Sequence, residues 1–449
     1  MIYNLTKGYP AKLITIFCLP LFIGNLIQQL YSITDILIVG RLLGVNALAA
    51  VGATAPIFFV CLLLSFGFTN GLNVVTAQCF GASDFNNMRK SVTHAIMASF
   101  VLCCCMTVFL ICFLKPVLHL MNVPTEIEHD AYLFMSILSA GLVMIVFYNL
   151  TAGFMRAVGD SRTPLYFLIF STALNIAFNF IFIYFFGLGV KGSALGTVLA
   201  ATIAFISCGL FMHFKFKIMR LTKADWKFDK NILIKQLNIA LPMSVQFSVL
   251  SISMMVIQSA CNSFGPEVIA AFTAALRIEQ LGTQPMLALG MAMATYSAQN
   301  FGAKKIARIR QGVRFTILVS FIAAILMSLC VRYIGRDMIS VFLSNYNPFI
   351  MDVGKKYLGI STPFYFFLGL IFIFRNTLQG MGKVWLPLLA SLTELFIRSF
   401  AALILASAMG YQGIFYASPA AWVSASLVVV IGYIFSIHAF KKKLKKQSL

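Results

Sequence analysis

Long apolar runs alternate with short polar breaks along the whole chain, as in residues 99–114, 317–330 and 364–374. A helix of about 20 residues crosses the apolar part of a bilayer. The spacing of the breaks therefore predicts twelve membrane helices. Their predicted bounds are residues 12–40, 47–73, 91–114, 131–154, 163–186, 192–213, 234–261, 268–298, 313–334, 354–376, 386–407 and 416–439.

The runs are continuously apolar, and this distinguishes between the two structures that can span a membrane. Strands of a closed barrel alternate apolar and polar side chains, whereas a helix satisfies its own backbone groups without alternation. The composition agrees with helices in lipid, because 60% of the residues are hydrophobic and 10% are charged, against about 25% charged in soluble domains. The predicted fold class is an all-α membrane protein.

The second half of the chain repeats the first at four places. Residues 77–82 (AQCFGA) recur as residues 298–303 (AQNFGA), 221 positions later. Three further pairs follow in the same order: Gly44 and Ala49-Ala50 with Gly265 and Ala270-Ala271, Val158-Gly159 with Met381-Gly382, and Gly189-x-x-Gly192 with Gly410-x-x-Gly413. Each copy contains six of the predicted helices.

Because six is an even number, both copies enter the membrane from the same side, and a pseudo-two-fold axis along the membrane normal relates them. The predicted domains are an N-lobe (1–214), a basic cytoplasmic linker (215–232) and a C-lobe with a basic C-terminal tail (233–449). Two such lobes leave a cleft, and rocking one lobe against the other exposes that cleft to alternate sides. This is the geometry of a transporter.

The net charge of +21 raises the question of nucleic acid binding. The basic residues, however, concentrate in alternate connections, which is the positive-inside asymmetry of membrane proteins. With an inside N-terminus, the inside connections contain Arg89, Lys90, Arg156, Arg162, Lys215, Lys217, Arg220, Lys223, Lys227, Lys230, Lys304, Lys305, Arg308, Arg310 and the tail Lys441 to Lys446. We therefore expect a multi-pass protein of the bacterial inner membrane, with both termini cytoplasmic and no nucleic acid partner.

Enzymatic motifs are missing from the sequence. HExxH, Walker and GxSxG patterns do not occur, and the five histidines are dispersed. The ten cysteines lie almost entirely in apolar runs, without the CxxC or His-Cys spacing of a zinc site. We expect neither catalysis nor a cofactor, so an ion gradient must supply the energy for transport.

Several segments carry a resemblance to a known family. They are residues 35–41 (DILIVGR) with 49–52 (AAVG), 77–82, 156–164 and 175–183. In their order and spacing the chain resembles the MATE (multidrug and toxic compound extrusion) family, within the wider MOP flippase-like superfamily. The resemblance implies a two-lobed, V-shaped antiporter that exports cationic drugs and is driven by protons or sodium.

The resemblance also assigns roles to residues of the first and fifth helices. It places the helix-bending proline of the family at Pro20 and the first-helix acid at Asp35. The fifth helix of several prokaryotic members has Asn and Asp one turn apart, whereas this chain has Asn175 and Asn179. The carboxylates found in the seventh and tenth helices of some members have no match here, so a coupling scheme through those acids is not expected.

Asp35 is the strongest candidate for the cation-coupling residue. A charged side chain at the centre of a membrane helix costs about 2.5 to 3.5 kcal/mol on insertion scales, so such residues are functional candidates. The second copy has no acid at the equivalent place, where Val256 and Ile257 stand. Asn175 and Asn179 project from one helical face and either tune Asp35, complete a sodium site with it, or only bridge helices by hydrogen bonds.

The C-terminal half has its own ionisable residues in the predicted helices. Glu394 and Arg398 are four apart and are interpreted as a structural ion pair. Glu279 is a candidate for attracting cations in the cleft. The remaining substrate-path candidates are polar residues in apolar helices: Gln28, Gln29, Tyr148, Asn149, Gln246 and Gln258.

The predicted function is secondary active efflux of small cationic amphipathic drugs or dyes in exchange for protons, or alternatively sodium bound at Asp35. Some of the 44 Phe and 21 Met residues would suit flat cations through cation-π contacts and adaptable packing. We expect a monomer surrounded by membrane lipids. The alternatives are a flippase of a lipid-linked precursor, whose phosphate would require several cationic residues in the cleft, and a membrane scaffold or receptor without transport activity.

Overall fold

The computed structural model describes residues 3–342 and 347–447 as a succession of helices. The ends of the predicted lobes at 1–2 and 448–449 lie outside the described residues, as do the side chains of 443–445 in the predicted basic tail. The helices are α1 (Pro10–Leu43), α2 (Val45–Gly81), α3 (Phe85–Leu120), α4 (Thr125–Ala157), α5 (Arg162–Phe180), α6 (Val190–Lys215), α7 (Lys230–Asn262), α8 (Pro266–Gly302), α9 (Ile306–Ser340), α10 (Pro348–Ser361), α11 (Tyr365–Gly380), α12 (Trp385–Met409), α13 (Tyr411–Phe415) and α14 (Ala417–Gln447).

The predicted all-α membrane fold is confirmed. Among the described residues, eleven helical segments are long and apolar enough to cross a membrane, with α10 and α11 forming one segment and α13 and α14 another. The twelfth segment is α8, which is 37 residues long but less apolar, since it carries the sequence RIEQ at 277–280. Several helices continue well beyond the predicted spans. At 1.5 Å per residue, the 37 residues of α2 extend about 55 Å, nearly twice the apolar thickness of a bilayer.

Several helix lengths and turn conformations recur in the second copy, as the sequence repeat predicts. α2 and α8 are both 37 residues long, and the span formed by α10 and α11 has 33 residues, like α4. The turns after α2 and α8 also match, because Ser83 (φ 60°) and Lys304 (φ 58°) both adopt the left-handed conformation that non-glycine residues rarely accept. Gly44 (φ 83°) and Gly265 (φ 89°) precede the two helices in the same way. The two copies therefore share the same backbone conformation at the start of α2 and α8 and at the turns that follow them.

Several of the described spans contain breaks in regular α-helix. Pro20 lies inside α1 and Pro242 lies inside α7, where each removes one helical hydrogen bond. The tenth span changes from α10 to α11 through a short 3₁₀ turn, Thr362–Phe364, which contains Pro363. The fifth span ends in a π-helical turn at Ile181–Phe185. Such breaks are common at functional positions in membrane helices.

The chain forms two compact units. Each unit also contains the first half of the first helix of the other copy, here called a half-helix. Unit 1 contains Ile23–Ser244 and unit 2 contains Leu5–Phe22 together with the chain from Val245 onwards. The predicted boundaries at 214 and 233 stay a prediction. In both copies, the first helix changes unit two residues after its proline, at Phe22 after Pro20 and at Ser244 after Pro242.

Both exchanged segments, Leu5–Phe22 and the first half of α7, are packed closely into the unit that contains them. In unit 1, a Cβ atom on Gly71 of α2 would lie 2.4 Å from Cα of Ala240 in α7, so the absence of a side chain lets the two backbones meet. In unit 2, the carbonyl of Leu5 accepts hydrogen bonds from Asn300 (3.2 Å) and from Arg308 (3.2 Å). The segment before α1 is thereby fixed to the α8–α9 turn.

The connection between α6 and α7 is docked on unit 1. Arg89 of α3 contacts the Asp225 carboxylate at 3.3 Å, and the hydroxyl of Thr93 donates to the Asp225 carbonyl at 2.7 Å. Although desolvation opposes it, hydrogen bonds from Thr222 and the charge of Arg89 hold the pKa of Asp225 below its ordinary value. The basic linker is thus an ordered part of unit 1.

Candidate functional site

The Asp35 carboxylate of α1 meets the end of α5 within unit 1. The side chain of Asn179 donates from Nδ2 to Oδ1 of Asp35 at 2.7 Å. Asn179 is completely buried, while Asp35 is partly exposed. The structure thus places the predicted first-helix acid in direct contact with one of the two predicted asparagines.

A hydrogen-bond chain continues from this pair into α6. Nδ2 of Asn179 also donates to Oδ1 of Asn175 at 3.2 Å, and Nδ2 of Asn175 donates to the hydroxyl of Thr197 at 3.0 Å. Tyr31, one turn before Asp35, interacts with both Asp35 and Thr197. Three helices, α1, α5 and α6, are therefore connected through five polar side chains. Tyr31 and Thr197 were missed in the sequence, although a tyrosine four residues before a membrane carboxylate is a recognisable neighbour.

The local backbone explains how Asn179 reaches Asp35. Asn175 and Asn179 are one turn apart, so their amides stack on one face of α5, and the π-helical turn begins two residues after Asn179. On the other side lies Gly196 of α6, where a Cβ atom would be 2.6 Å from Oδ1 of Asn179. Only a glycine leaves room for the amide in this position.

The arrangement presents N–H groups to the carboxylate. Both hydrogens of the Asn179 amide are used, on Asp35 and on Asn175, while its Oδ1 is buried without a hydrogen-bond partner in the part of the chain that the structure describes. Among the same residues, no three or more His, Cys, Asp or Glu side chains cluster in a way that could hold a metal ion. A single carboxylate that accepts a hydrogen bond can bind and release a proton, and the loss of its charge on protonation weakens that hydrogen bond.

A second buried polar site lies in unit 2 around Glu394. Arg398 contacts Oε1 of Glu394 at 2.6 Å, and Arg375 of α11 contacts Oε2 at 3.0 Å. Arg398 also donates to the hydroxyl of Ser253 at 2.7 Å. The predicted partners Glu394 and Arg398 are thus in contact, with a third member that was missed. Arg375 lies inside the predicted span 354–376, where a basic residue is itself a signal.

Glu279 is buried inside unit 2, with 7% of its surface exposed. Its Oε2 accepts hydrogen bonds from the hydroxyls of Tyr357 at 3.1 Å and Tyr365 at 3.5 Å. The neighbouring Ile278 and Tyr357 belong to an apolar cluster with Phe272, Leu358 and Phe415. The phenols were missed, because their sequence context is that of ordinary core aromatics.

The remaining candidates for the substrate path differ in burial and in their hydrogen-bond partners. Gln246 is buried and accepts a hydrogen bond from Gln379 at 2.9 Å, while Gln258 donates to Asn262 at 3.0 Å and Asn149 to the carbonyl of Ile145 at 3.0 Å. Gln28 is exposed, and Gln29 and Tyr148 are half-buried. These residues do not join the network of Asp35, and their role in a substrate path stays a prediction.

Comparison with known proteins agrees with the two-copy architecture. The sequence profile of the MatE family matches the chain twice, at residues 20–181 and 242–404. The chain is 26% identical over 439 residues to the "Probable multidrug resistance protein YoeA" of Bacillus subtilis (strain 168), covering 95% of this chain and 94% of that protein. It is 27% identical over 414 residues to the "Probable multidrug resistance protein YpnP" of the same organism, covering 92% of each. A solved structure described as "Crystal structure of MATE in the bent conformation" superposes with a TM-score of 0.91 at 24% identity, covering 98% of both chains.

Proposed function

Because the chain belongs to the MatE family of multidrug efflux transporters, we propose that it exports small cationic amphipathic drugs or dyes in exchange for protons. The contact between Asp35 and Asn179 carries this proposal. Of the thirteen acidic residues, only Asp35, Glu279 and Glu394 lie more than two turns from both ends of a described helix. Of these three, Asp35 is the one in unit 1, and it is partly open to exchange with its surroundings.

The proton is favoured over sodium by the chemistry of the neighbours. Sodium is a hard cation and takes several oxygen ligands, as other hard cations do. The atom of Asn179 that faces Asp35 is instead a nitrogen that donates. A sodium site at Asp35 would require this amide to turn and to break its hydrogen bond with Asn175.

In the proposed cycle, protonation of Asp35 removes the negative charge that holds the Asn179 amide. The hydrogen-bond chain through Asn175 to Thr197 then reorganises, and α1 bends near Pro20, where it passes from unit 2 to unit 1. The bend alters the substrate path and displaces the bound drug. Release of the proton on the other side restores the starting arrangement, which makes the cycle one of alternating access.

The energetics of a one-for-one exchange depend on the pH gradient. Expelling a monovalent cation against an inside-negative potential costs about 2.3 kcal/mol per 100 mV, and one entering proton returns the same amount. Because these two contributions of the membrane potential cancel, the net driving force is the pH difference, which contributes roughly 1.4 kcal/mol per pH unit. We place the chain in a bacterial cell membrane as a monomer among lipids, with both termini cytoplasmic, as the distribution of basic residues favours.

The flippase alternative receives less support from the charges within the helices. A lipid-linked phosphate requires cationic side chains that are free to bind it. Arg375 and Arg398 are buried, and both already contact Glu394. A cation substrate fits Asp35 better than an anion does.

Dye efflux from a pump-deficient bacterial host tests the proposal. Ethidium efflux is measured in cells that express the wild type, Asp35→Asn or the matched control Asp337→Asn, which removes an exposed carboxylate at the end of α9. The external pH and the sodium concentration are varied independently. We expect efflux that follows the pH gradient in the wild type and the control and is lost in Asp35→Asn. A sodium requirement would reassign the coupling ion, and wild-type efflux by Asp35→Asn at every pH would refute the mechanism.

A further inference from the structure

The interior of unit 2 contains two carboxylates and two guanidinium groups that are not equivalently paired. Glu394 contacts both Arg375 and Arg398. Glu279 has no cationic side chain within 4.0 Å among the described residues, although the charge of Arg398 acts on it electrostatically. The charge of Glu394 is therefore stabilised by two guanidinium groups, whereas that of Glu279 is stabilised mainly by the hydroxyls of Tyr357, Tyr365 and Ser361. Protonation, which removes the negative charge, therefore costs less free energy at Glu279 than at Glu394.

The two phenols that contact Glu279 lie on opposite sides of the break in the tenth span. Tyr357 is in α10 and Tyr365 is the first residue of α11. Between them lies the 3₁₀ turn Thr362–Phe364, in which Pro363 cannot donate a backbone hydrogen bond. One carboxylate oxygen thus holds both halves of a discontinuous helix, at 3.1 Å and 3.5 Å.

The surroundings of Glu279 suit a proton and not a metal cation. From α9, the residues that face this region are the apolar Val331 and Ile339, and on α8 itself Ile278 is adjacent while Arg277 is exposed. α10 and α11 contribute the phenols, and Arg398 of α12 contributes a positive charge. A metal cation here would have as ligands one carboxylate and the hydroxyl oxygens of Tyr357, Tyr365 and Ser361, and it would be repelled by Arg398, whereas a proton needs one oxygen.

We propose that Glu279 is a second proton-binding site. When it is ionised, its hydrogen bonds hold α10 and α11 together, an arrangement here called the clasp, and when it is protonated these hydrogen bonds weaken. The ionised carboxylate accepts from both phenols with charge-assisted hydrogen bonds, which are about twice as strong as neutral ones. Protonation adds one proton to an oxygen, weakens both hydrogen bonds and leaves the buried cluster with one net positive charge. The angle at the 3₁₀ turn is then free to change. This proposal rests on the proposed exchange of drug for protons and adds to Asp35 a site in unit 2, which raises the exchange from one proton per drug to two.

Proton release on dye binding tests the site directly. Linkage requires that a dye which disfavours protonation expels protons when it binds. Ethidium is added to the purified full chain in weakly buffered detergent solution, and the protons released per bound dye are measured from the pH change. We expect Glu279→Gln to release about one proton fewer per dye than the wild type. The control is Glu267→Gln, which changes an exposed glutamate of the same helix and should release as many protons as the wild type.

Asp35→Asn in the same assay separates this inference from the proposed function. Fewer protons from Asp35→Asn with wild-type release from Glu279→Gln would overturn the second site and leave Asp35 as the coupling residue. Fewer protons from Glu279→Gln with wild-type release from Asp35→Asn would support the clasp and refute the assignment of Asp35. A decrease in both variants supports both.

A second variant decides the matter if Glu279→Gln does not fold, as judged by its elution in size-exclusion chromatography. Tyr357→Phe keeps the carboxyl and removes the closer donor. We expect the pH at which proton release is half-maximal to move by about one unit, the effect of one lost hydrogen bond on a buried carboxyl. Tyr333→Phe changes a tyrosine that is 77% exposed and is the control. An unchanged pH profile in Tyr357→Phe would overturn the clasp.

Discussion

Nδ2 of Asn179 lies 2.7 Å from Oδ1 of Asp35 and 3.2 Å from Oδ1 of Asn175, so one amide group contacts both the Asp35 carboxylate and the preceding turn of its own helix. Any change in the charge of Asp35 must therefore be felt in α5.

Asn179→Ala should uncouple Asp35 from α5. The substitution removes the amide donor, and a hydrogen bond to a charged group contributes about 1.5 to 3 kcal/mol. We expect the initial rate of pH-driven ethidium efflux to fall by at least tenfold, since about 1.4 kcal/mol corresponds to a factor of ten. Asn70→Ala is the control, because among the described residues the Asn70 amide donates only to the carbonyl of Phe66 in its own helix. Equal efflux by the two variants would contradict the role of the amide.

Gly196→Ala should displace the Asn179 side chain without changing any polar group. A Cβ atom at this position would lie 2.6 Å from Oδ1 of Asn179, which is shorter than contact distance. We expect efflux to decrease while protein expression stays near the wild-type level. Gly209→Ala in the same helix is the matched control, because its Cβ atom would meet no atom within 4 Å. The result would speak against this geometry if the two alanine variants transported ethidium equally well.

Glu394→Gln should destabilise unit 2 strongly. The substitution leaves Arg375 and Arg398 buried together without their shared carboxylate, and breaking a buried ion pair costs about 3 to 5 kcal/mol. We expect a lower midpoint of thermal unfolding in detergent and weak expression. Arg336→Met is the comparison, because its pair with Asp352 is exposed and contributes at most about 1 kcal/mol. Similar midpoints for the two variants would argue against a structural role of Glu394.

The linker contact should make stability depend on pH on the acidic side. The pKa of Asp225 is lowered in the folded chain, so its contribution is present above the unfolded pKa of about 3.9 and is lost as the pH falls through the folded value. We expect Asp225→Asn to unfold at a lower temperature than the wild type at pH 7. The gap between the two midpoints should close as the pH falls below about 4. A gap that persists there would mean that the carboxylate charge is not what matters.

The helices and the repeat could be predicted because both depend on local sequence. Apolar runs locate the spans, and the recurrence of residues 77–82 at 298–303 locates the second copy. The helix ends could not be placed, since a helix satisfies its own backbone groups and continues past the lipid until a residue such as Gly44 ends it. The spacing of Asn175 and Asn179 likewise predicts a shared helical face.

The partners of Glu279 and Glu394 were beyond what the sequence could establish. The pairing of Arg375 could have been predicted, because a basic residue in an apolar span usually pairs with a carboxylate. Tyr357 and Tyr365 were not, since phenols are common in apolar cores and their hydroxyls become significant only when α10 and α11 pack on α8. Long-range pairing of this kind depends on tertiary packing, which no local pattern encodes.

The exchange of half-helices at Pro20 and Pro242 bears on the origin and the synthesis of the protein. During translation, unit 1 lacks its last element until residues 230–244 have emerged, so the first six helices reach their final packing only after the second copy has begun. An ancestral chain with a single copy would have obtained the same arrangement only as a dimer that exchanged its first half-helices between identical subunits. Gene duplication and fusion would then have joined the two subunits of that dimer into one polypeptide.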